Sequence, residues 1–339
     1  MSEDVLASIN VIKKLGIKVT KSNKYCKIYG KGINGFKYKD NLTLNAKNSG
    51  TLGRLILGLI VNTPKKIKLI GDKSLSKRDF KRVALPLSKF GAKFELNKKI
   101  GLPLSIKGSQ NLKPIKYNET RGSAQCKSSV IFAGMRANGK TLIKAKKSRN
   151  HTELLCKHLN LPIKIKNNKN FDIIEINKIK NIKRLKYDIP SDISSAAFFI
   201  ALTALSSKSK ILIQKVNVNP SRIGVITILK KMGINIFLKN KKIYKGEVIA
   251  DIIVKSPKKI KSINCPANLN SGAIDEFLVI FLVAAKAKGV SHFNDISELN
   301  QKESPRLKLG SKILNMMGVK TSLTKLYSDS APCSPTLLK

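Results

Sequence analysis

Asn48-Ser49-Gly50-Thr51 stands just ahead of an apolar run, with Arg54 one turn further on. Free backbone N–H groups at a helix start, a glycine that lets a ligand approach and a nearby guanidinium form a cradle for phosphate or carboxylate. A plain N-cap with a surface arginine fits the same spacing. Gly71-Asp72-Lys73-Ser74-Leu75-Ser76-Lys77-Arg78 is basic and hydroxyl-rich, suited to a second anion or to a solvated loop. Ser123-Ala124-Gln125 opens another helix with hydroxyl and amide groups, as donors to a ligand or as a cap. Ser148-Arg149-Asn150-His151-Thr152-Glu153 does likewise, and its histidine is either a base or a structural residue.

Asp275-Glu276 precedes the most apolar helix, where negative charge suits the helix dipole and a carboxylate pair suits proton transfer. Lys302-Glu303-Ser304-Pro305-Arg306 sets cation, anion and cation within about one turn, as a ligand site or a surface salt-bridge set. All these groups lie at or near expected helix starts. Converging helix N-termini, with arginine and lysine, predict a pocket for small, multiply anionic ligands. Arginine scarcity sharpens this expectation. Only nine of the 66 basic residues are arginine. A planar guanidinium grips phosphate or carboxylate through paired bonds that lysine cannot copy.

The positioning elements repeat along the chain. An apolar helix leads to a β-rich strand such as Ile67-Lys68-Leu69-Ile70, then to a second helix ending in an apolar-Gly step. These steps are Leu15-Gly16, Phe90-Gly91, Met232-Gly233 and Met317-Gly318, with Leu159-Asn160 as a degenerate copy. Their spacings in chain order are 75, 69, 73 and 85 residues, too long for a solenoid repeat and suited to a reused α/β unit. Glycine or asparagine there predicts a left-handed helix cap. The polar cluster Asp188-Ile189-Pro190-Ser191-Asp192 marks a domain crossing. The expected domains are 1–187 and 188–326, with 327–339 an unassigned tail.

With 339 residues and 42% apolar content, the chain can bury a substantial core. The longest apolar run, Phe277 to Ala285, has nine residues, against roughly 20 for a bilayer span, so no membrane partner is expected. Five scattered cysteines without a C-x-x-C pair, and no basic-then-apolar leader, point to a reducing, cytoplasmic setting. The net charge of +46 is spread as lysine beside abundant isoleucine and asparagine, as an AT-rich coding sequence would produce. With no tryptophan and dispersed aromatics, no nucleic-acid partner is expected.

The order N-S-G-T-x-x-R, G-D-x-S-L-S-K-R, S-A-Q-x-K-S, S-R-x-H-T-E, S-D-I-S-S-A-A-F-F, N-P-x-R-x-G, I-D-E-F and K-E-S-x-R resembles the 5-enolpyruvylshikimate-3-phosphate synthases (3-phosphoshikimate 1-carboxyvinyltransferases), over nearly all of residues 2–325. The resemblance implies an α/β fold, a two-domain inside-out α/β barrel of βαβαββ-like units, of which about four and a half of six are expected here. It implies transfer of the enolpyruvyl group from phosphoenolpyruvate to the 5-hydroxyl of shikimate 3-phosphate, with release of phosphate, on the shikimate pathway to chorismate and aromatic amino acids. No cofactor or metal is expected, and the implied assembly is a monomer.

Carried over by motif, Gly50, Arg78 and Arg306 would hold phosphoenolpyruvate, with Gln125 touching both ligands. Ser123, Ala124, Ser148 and Lys302 would hold shikimate 3-phosphate, assisted by Arg149. Asp275 would accept the proton of the 5-hydroxyl, and Glu303 would act at the vinyl carbon. The family's opening D-K-S-x-S-H-R and late D-H-R segments have no counterpart, and Asp79 and Pro305 replace the usual proline and aspartate. Loss of positioned ligand-binding groups is costly, so the expectation is an inactive chain that extension at both ends would restore. The alternatives are a UDP-N-acetylglucosamine enolpyruvyl transferase and a catalytically dead anion-binding remnant.

Overall fold

The computed structural model describes residues 1–98, 100–301, 304–323 and 336–338. One α/β plan recurs along it. A half copy comes first: α1 (Glu3–Lys14), β1 (Val19–Lys21) and β2 (Cys26–Ile28). The first full copy is β3 (Leu42–Asn45), α2 (Gly50–Ile60), β4 (Lys66–Ile70), α3 (Lys73–Ser76), α4 (Lys81–Ser88), β5 (Lys93–Asn97) and β6 (Gly101–Lys107). The second is β7 (Lys116–Glu119), α5 (Ala124–Gly134), β8 (Thr141–Lys146), α6 (His151–His158), β9 (Ile163–Asn167) and β10 (Phe171–Ile176). The third is α7 (Ile193–Leu205), β11 (Lys210–Asn217), α8 (Gly224–Lys231), β12 (Asn235–Tyr244) and β13 (Glu247–Lys255). The fourth is β14 (Asn264–Cys265), α9 (Asn270–Ala273), α10 (Phe277–Ala284), β15 (Ser291–Phe293), α11 (Arg306–Met316), β16 (Thr321–Leu323) and β17 (Thr336–Leu338).

Each full copy closes its own sheet in one pattern. The first strand runs parallel to the second, and the fourth lies antiparallel between the second and third. In the third copy the first strand shrinks to a parallel bridge between Ser191 and Val216, beside β11-β13-β12. A parallel pair needs a crossover, and α2, α5, α7 and the α9–α10 stretch supply it. The last helix of each copy ends on a left-handed residue. Gly16, Gly91, Gly233 and Gly318 have φ of 84°, 109°, 89° and 81°, and Asn160 has 54°. These are the five positions that the apolar-Gly repeat marks, so the repeat is a repeat of helix C-caps.

Two compact units contain the copies. One comprises Met1–Lys147 and Thr152–Leu185, the other Ser148–His151 and Lys186–Lys339. Each has its own core. Leu44, Leu57, Ile67, Phe80, Ile143 and Ile174 are fully buried in the first. In the second, Phe277, Phe281 and Phe293 meet ring to ring at 5.1–5.9 Å, among Ile200, Val225 and Ile252. Among the described residues no single helix is long and apolar enough to cross a membrane.

Candidate active site

In the first unit, the start of α2 is shaped for an anion. Ser49 caps it by accepting the Leu52 N–H at 3.3 Å, leaving the Gly50 end exposed to two guanidiniums. A Cβ on Gly50 would stand 2.8 Å from Arg78 Nη1 and 3.1 Å from Arg54 Nη1. Only glycine lets both guanidiniums and the helix end crowd one spot. Arg54 is 7% exposed, lies over the Phe80 ring and donates from Nη1 to Gln125 Oε1 at 2.6 Å. Gln125 Nε2 donates in turn to Thr51 Oγ1 at 2.9 Å, so the amide is oriented from both ends. Burial lowers the Arg54 guanidinium below its ordinary range, and the Arg82 and Arg78 charges push the same way. Crowded, desolvated cations of this kind are what an anionic ligand neutralises.

The start of α5 is built with equal care. Ser123 accepts the Cys126 N–H at 3.3 Å, and Ala124 begins the helix. The buried Glu119 carboxylate fixes the preceding turn by accepting the N–H groups of Arg121 at 3.2 Å and Gly122 at 2.6 Å. Behind Ser123 and Gln125, fully buried Lys127 pairs with Glu153 at 2.7 Å, and Ser128 bonds Thr152 at 2.7 Å, locking α5 to α6. Asp72 caps α3 and also accepts from Asn48, which ties the two anion-type loops together. The structure thus assembles Gly50, Arg78, Gln125, Ser123 and Ala124 in one unit, with Arg54 at their centre.

The second unit assembles the other set. Asp275 lies in the turn between α9 and α10, as the apolar run predicted. Its Oδ2 accepts from Arg149 Nη2 and its Oδ1 accepts from Arg306 Nη1 at 3.1 Å. Arg306 is the first residue of α11. The Ser148 hydroxyl oxygen is covered and makes no hydrogen bond among the described residues. Glu276 points inward at 2% exposure, accepting from Ser194, with Arg222 at 3.8 Å. Burial raises its carboxyl above the ordinary range. Arg222 also pairs with Asp192 at 3.0 Å, the residue that caps α7.

His151, weighed as a base, is committed elsewhere. Its Nδ1 lies 2.5 Å from Glu247 Oε1, its Nε2 is covered, and Asn219 bonds both Glu247 and Asn150. Lys302 and Glu303 lie outside the described residues. The motifs of the sequence reading contain Lys127, Glu153, Asp192, Arg222 and Glu276, and arginine scarcity also singles out Arg222, but the reading did not pair Lys127 with Glu153 or Arg222 with Asp192 and Glu276.

The sequence profile of the EPSP synthases (3-phosphoshikimate 1-carboxyvinyltransferases) matches residues 1–333. The chain belongs to this family. The chain is 41% identical over 322 residues to the 3-phosphoshikimate 1-carboxyvinyltransferase of Ruthia magnifica subsp. Calyptogena magnifica, covering 95% of itself and 72% of that protein. The Caldicellulosiruptor saccharolyticus protein of the same name is 40% identical over 319 residues, covering 94% and 73%. Among solved structures, EPSP synthase from Acinetobacter baumannii superposes with a TM-score of 0.83 at 34% identity, over 98% of this chain and 74% of that one. The enolpyruvyl transferase NikO from Streptomyces tendae, at 10% identity and a TM-score of 0.67, shares the fold. The fold that the family resemblance implied is therefore the one present.

Proposed function

We propose that the chain transfers the enolpyruvyl group of phosphoenolpyruvate to the 5-hydroxyl of shikimate 3-phosphate and releases phosphate, on the route to chorismate and aromatic amino acids. The observation that carries this reading is the Gly50 end of α2, hemmed by Arg54 and Arg78 and faced by an oriented Gln125 amide. Both substrates are small polyanions, and a guanidinium pair at a helix N-terminus, with the Arg54 member buried, is the chemistry that recognises them. Membership in the EPSP synthase family supplies the substrates.

In this reading Gly50, Arg78 and Arg306 hold phosphoenolpyruvate, and Gln125 reaches both ligands. Ser123, Ala124, Ser148, Arg149 and Lys302 serve shikimate 3-phosphate. The covered Ser148 hydroxyl has hydrogen-bonding capacity to give a ligand. The methylene carbon of phosphoenolpyruvate takes a proton while the 5-hydroxyl oxygen bonds to the adjacent carbon. Asp275 takes the hydroxyl proton, and Glu303 serves the methylene carbon. The tetrahedral intermediate then loses phosphate and one methyl proton, restoring the vinyl group. The buried free thiols Cys126, Cys156 and Cys265 fit a reducing cytoplasm.

The test is phosphate release, which also decides between this turnover and the inactive chain that the motif comparison led us to expect. Phosphate should appear only when both substrates are present, and the carbon product should be the enolpyruvyl ether. Release of phosphate with UDP-N-acetylglucosamine in place of shikimate 3-phosphate, or with neither acceptor, would overturn the reading.

A further inference from the structure

The N-P-x-R-x-G motif, Asn219 to Gly224, links β11 to α8, and the proposed reaction gives it no task. Asn219 is 1% exposed, and its carboxamide is bonded on every side. Its Oδ1 accepts from the Ser221 N–H and from the Ser221 hydroxyl, both at 2.8 Å. Its Nδ2 donates to Asn150 Oδ1 at 2.9 Å and to Glu247 Oε2 at 3.0 Å. An asparagine amide has two donor and two acceptor positions, so all four are filled. Turned over, it would set its nitrogen against the Ser221 N–H and its oxygen against the Glu247 carboxylate. One orientation is therefore fixed. The Asn219 N–H is held in turn by Asn217 Oδ1 at 3.0 Å.

The Ser221 and Asn217 bonds are enough to build the turn; the two Nδ2 bonds reach elsewhere. They fasten Ser148–His151, a stretch that belongs to the same unit. Asn150 is bonded directly, and His151 is reached through the buried Glu247, whose Oε1 lies 2.5 Å from its Nδ1. Anchors on two consecutive residues fix the direction of the chain that leads into them, which is Ser148-Arg149. Ser148 is where this matters. Its hydroxyl is covered and makes no hydrogen bond among the described residues, so its side chain does not hold its own place. Its position is inherited from the residues that follow. A ligand group placed before binding spares the ordering cost that a loose one would add.

We infer that Asn219 is a positioning residue for the acceptor substrate: through Asn150, and through Glu247 and His151, it holds the Ser148-Arg149 backbone in the place from which it meets shikimate 3-phosphate. Asn219 does this without touching the ligand. The inference rests on the enolpyruvyl-transfer reading, which supplies that ligand. One buried amide thus serves two ends. Its oxygen shapes the turn into α8, and its nitrogen shapes a stretch 69 residues earlier in the chain.

Asn150→Ala and Asn219→Ala, alone and together, test this in the whole chain. Asn150 is half-buried, so Asn150→Ala should fold and decide by itself if Asn219→Ala, which takes a partner from buried Glu247, does not. By calorimetry, shikimate 3-phosphate should bind about tenfold more weakly to each single variant, and phosphoenolpyruvate as to the wild type. The double variant should bind no more weakly than Asn219→Ala, because both substitutions cut the same connection. Losses that add in the double variant, or an equal loss for phosphoenolpyruvate, would mark general damage and overturn the inference. Unchanged affinity for shikimate 3-phosphate beside a lower Tm would leave Asn219 a turn residue only, and overturn it as well. A second measurement needs no ligand. The 15N order parameters of the Ser148 and Arg149 amides should fall from about 0.85 in the wild type to below about 0.6 in each single variant. A wild type that does not bind shikimate 3-phosphate would refute the enolpyruvyl-transfer reading. The order parameters would then decide the positioning role alone, and values unchanged by both substitutions would refute it.

Discussion

Gly58 of α2 lies against the main chain of Ser129 of α5, so closely that a Cβ there would stand 2.2 Å from the Ser129 carbonyl oxygen. The Ser129 hydroxyl also donates to the Arg54 carbonyl at 2.9 Å. The two helices that begin at Gly50 and Ala124 are thus set against each other by one missing side chain.

Gly58→Ala should therefore cost stability. Alanine gains about 1 kcal/mol of helix propensity, but the clash is with backbone, which cannot turn aside. A net loss of about 2 kcal/mol is expected, seen as a fall in Tm of roughly 4–8 °C. An unchanged Tm would mean that α2 and α5 do not meet at this point.

Gly50→Ala should behave differently. The atoms in the way are the tips of two flexible arginines, so the fold should keep its Tm within a few degrees. The methyl group would instead push Arg54 and Arg78 off the helix end. The KM for phosphoenolpyruvate should rise about tenfold, equivalent to about 1.4 kcal/mol. Equal affinity in the variant would remove Gly50 from the site.

Lys127→Met would bury the Glu153 carboxylate, 2% exposed, without its partner. Breaking a buried pair from one side costs about 3–5 kcal/mol, whereas replacing both sides with apolar groups is often neutral. Chemical denaturation should show Lys127→Met strongly destabilised and Lys127→Met/Glu153→Leu mostly recovered. If the double variant is no better than the single one, the pair is not the reason Lys127 matters.

Glu247 supplies a pH dependence. Burial pushes its carboxyl up, but the His151 contact and the Asn219 amide outweigh burial and hold it below the ordinary value of 4.5. A carboxyl depressed in the folded state stabilises above its unfolded value, and that share is lost as pH falls through the folded value. Glu247→Gln should thus be less stable than the wild type at pH 6–7, by about 1–2 kcal/mol. The gap should close below pH 4.5, as followed by thermal melts from pH 3 to 8. A constant gap across that range would assign the loss to packing.

Local signals in the sequence carried much of the architecture. The helix C-caps at Gly16, Gly91, Gly233 and Gly318 announced themselves because few other residues tolerate that backbone. The helix starts at Ser49 and Ser123 were equally plain, since a cap is a property of a few adjacent residues. Contacts across many residues were not. Arg54 and Gln125 are 71 residues apart, and Arg149 and Asp275 are 126 apart. Nothing in either neighbourhood names the other. Lys127 stands in the S-A-Q-x-K-S motif, yet nothing there marks it as fully buried or points to Glu153, 26 residues on, as its partner.

Because every full copy pairs its strands only among themselves, the chain is divided into short spans whose β-ladders close over modest loops. Entropy favours such ladders early, and each can open without unzipping its neighbours. Amide exchange should accordingly release protons in four separate groups, one for the sheet of each full copy, with the helix amides of α2 and α5 leaving together because Gly58 and Ser129 bind their fates.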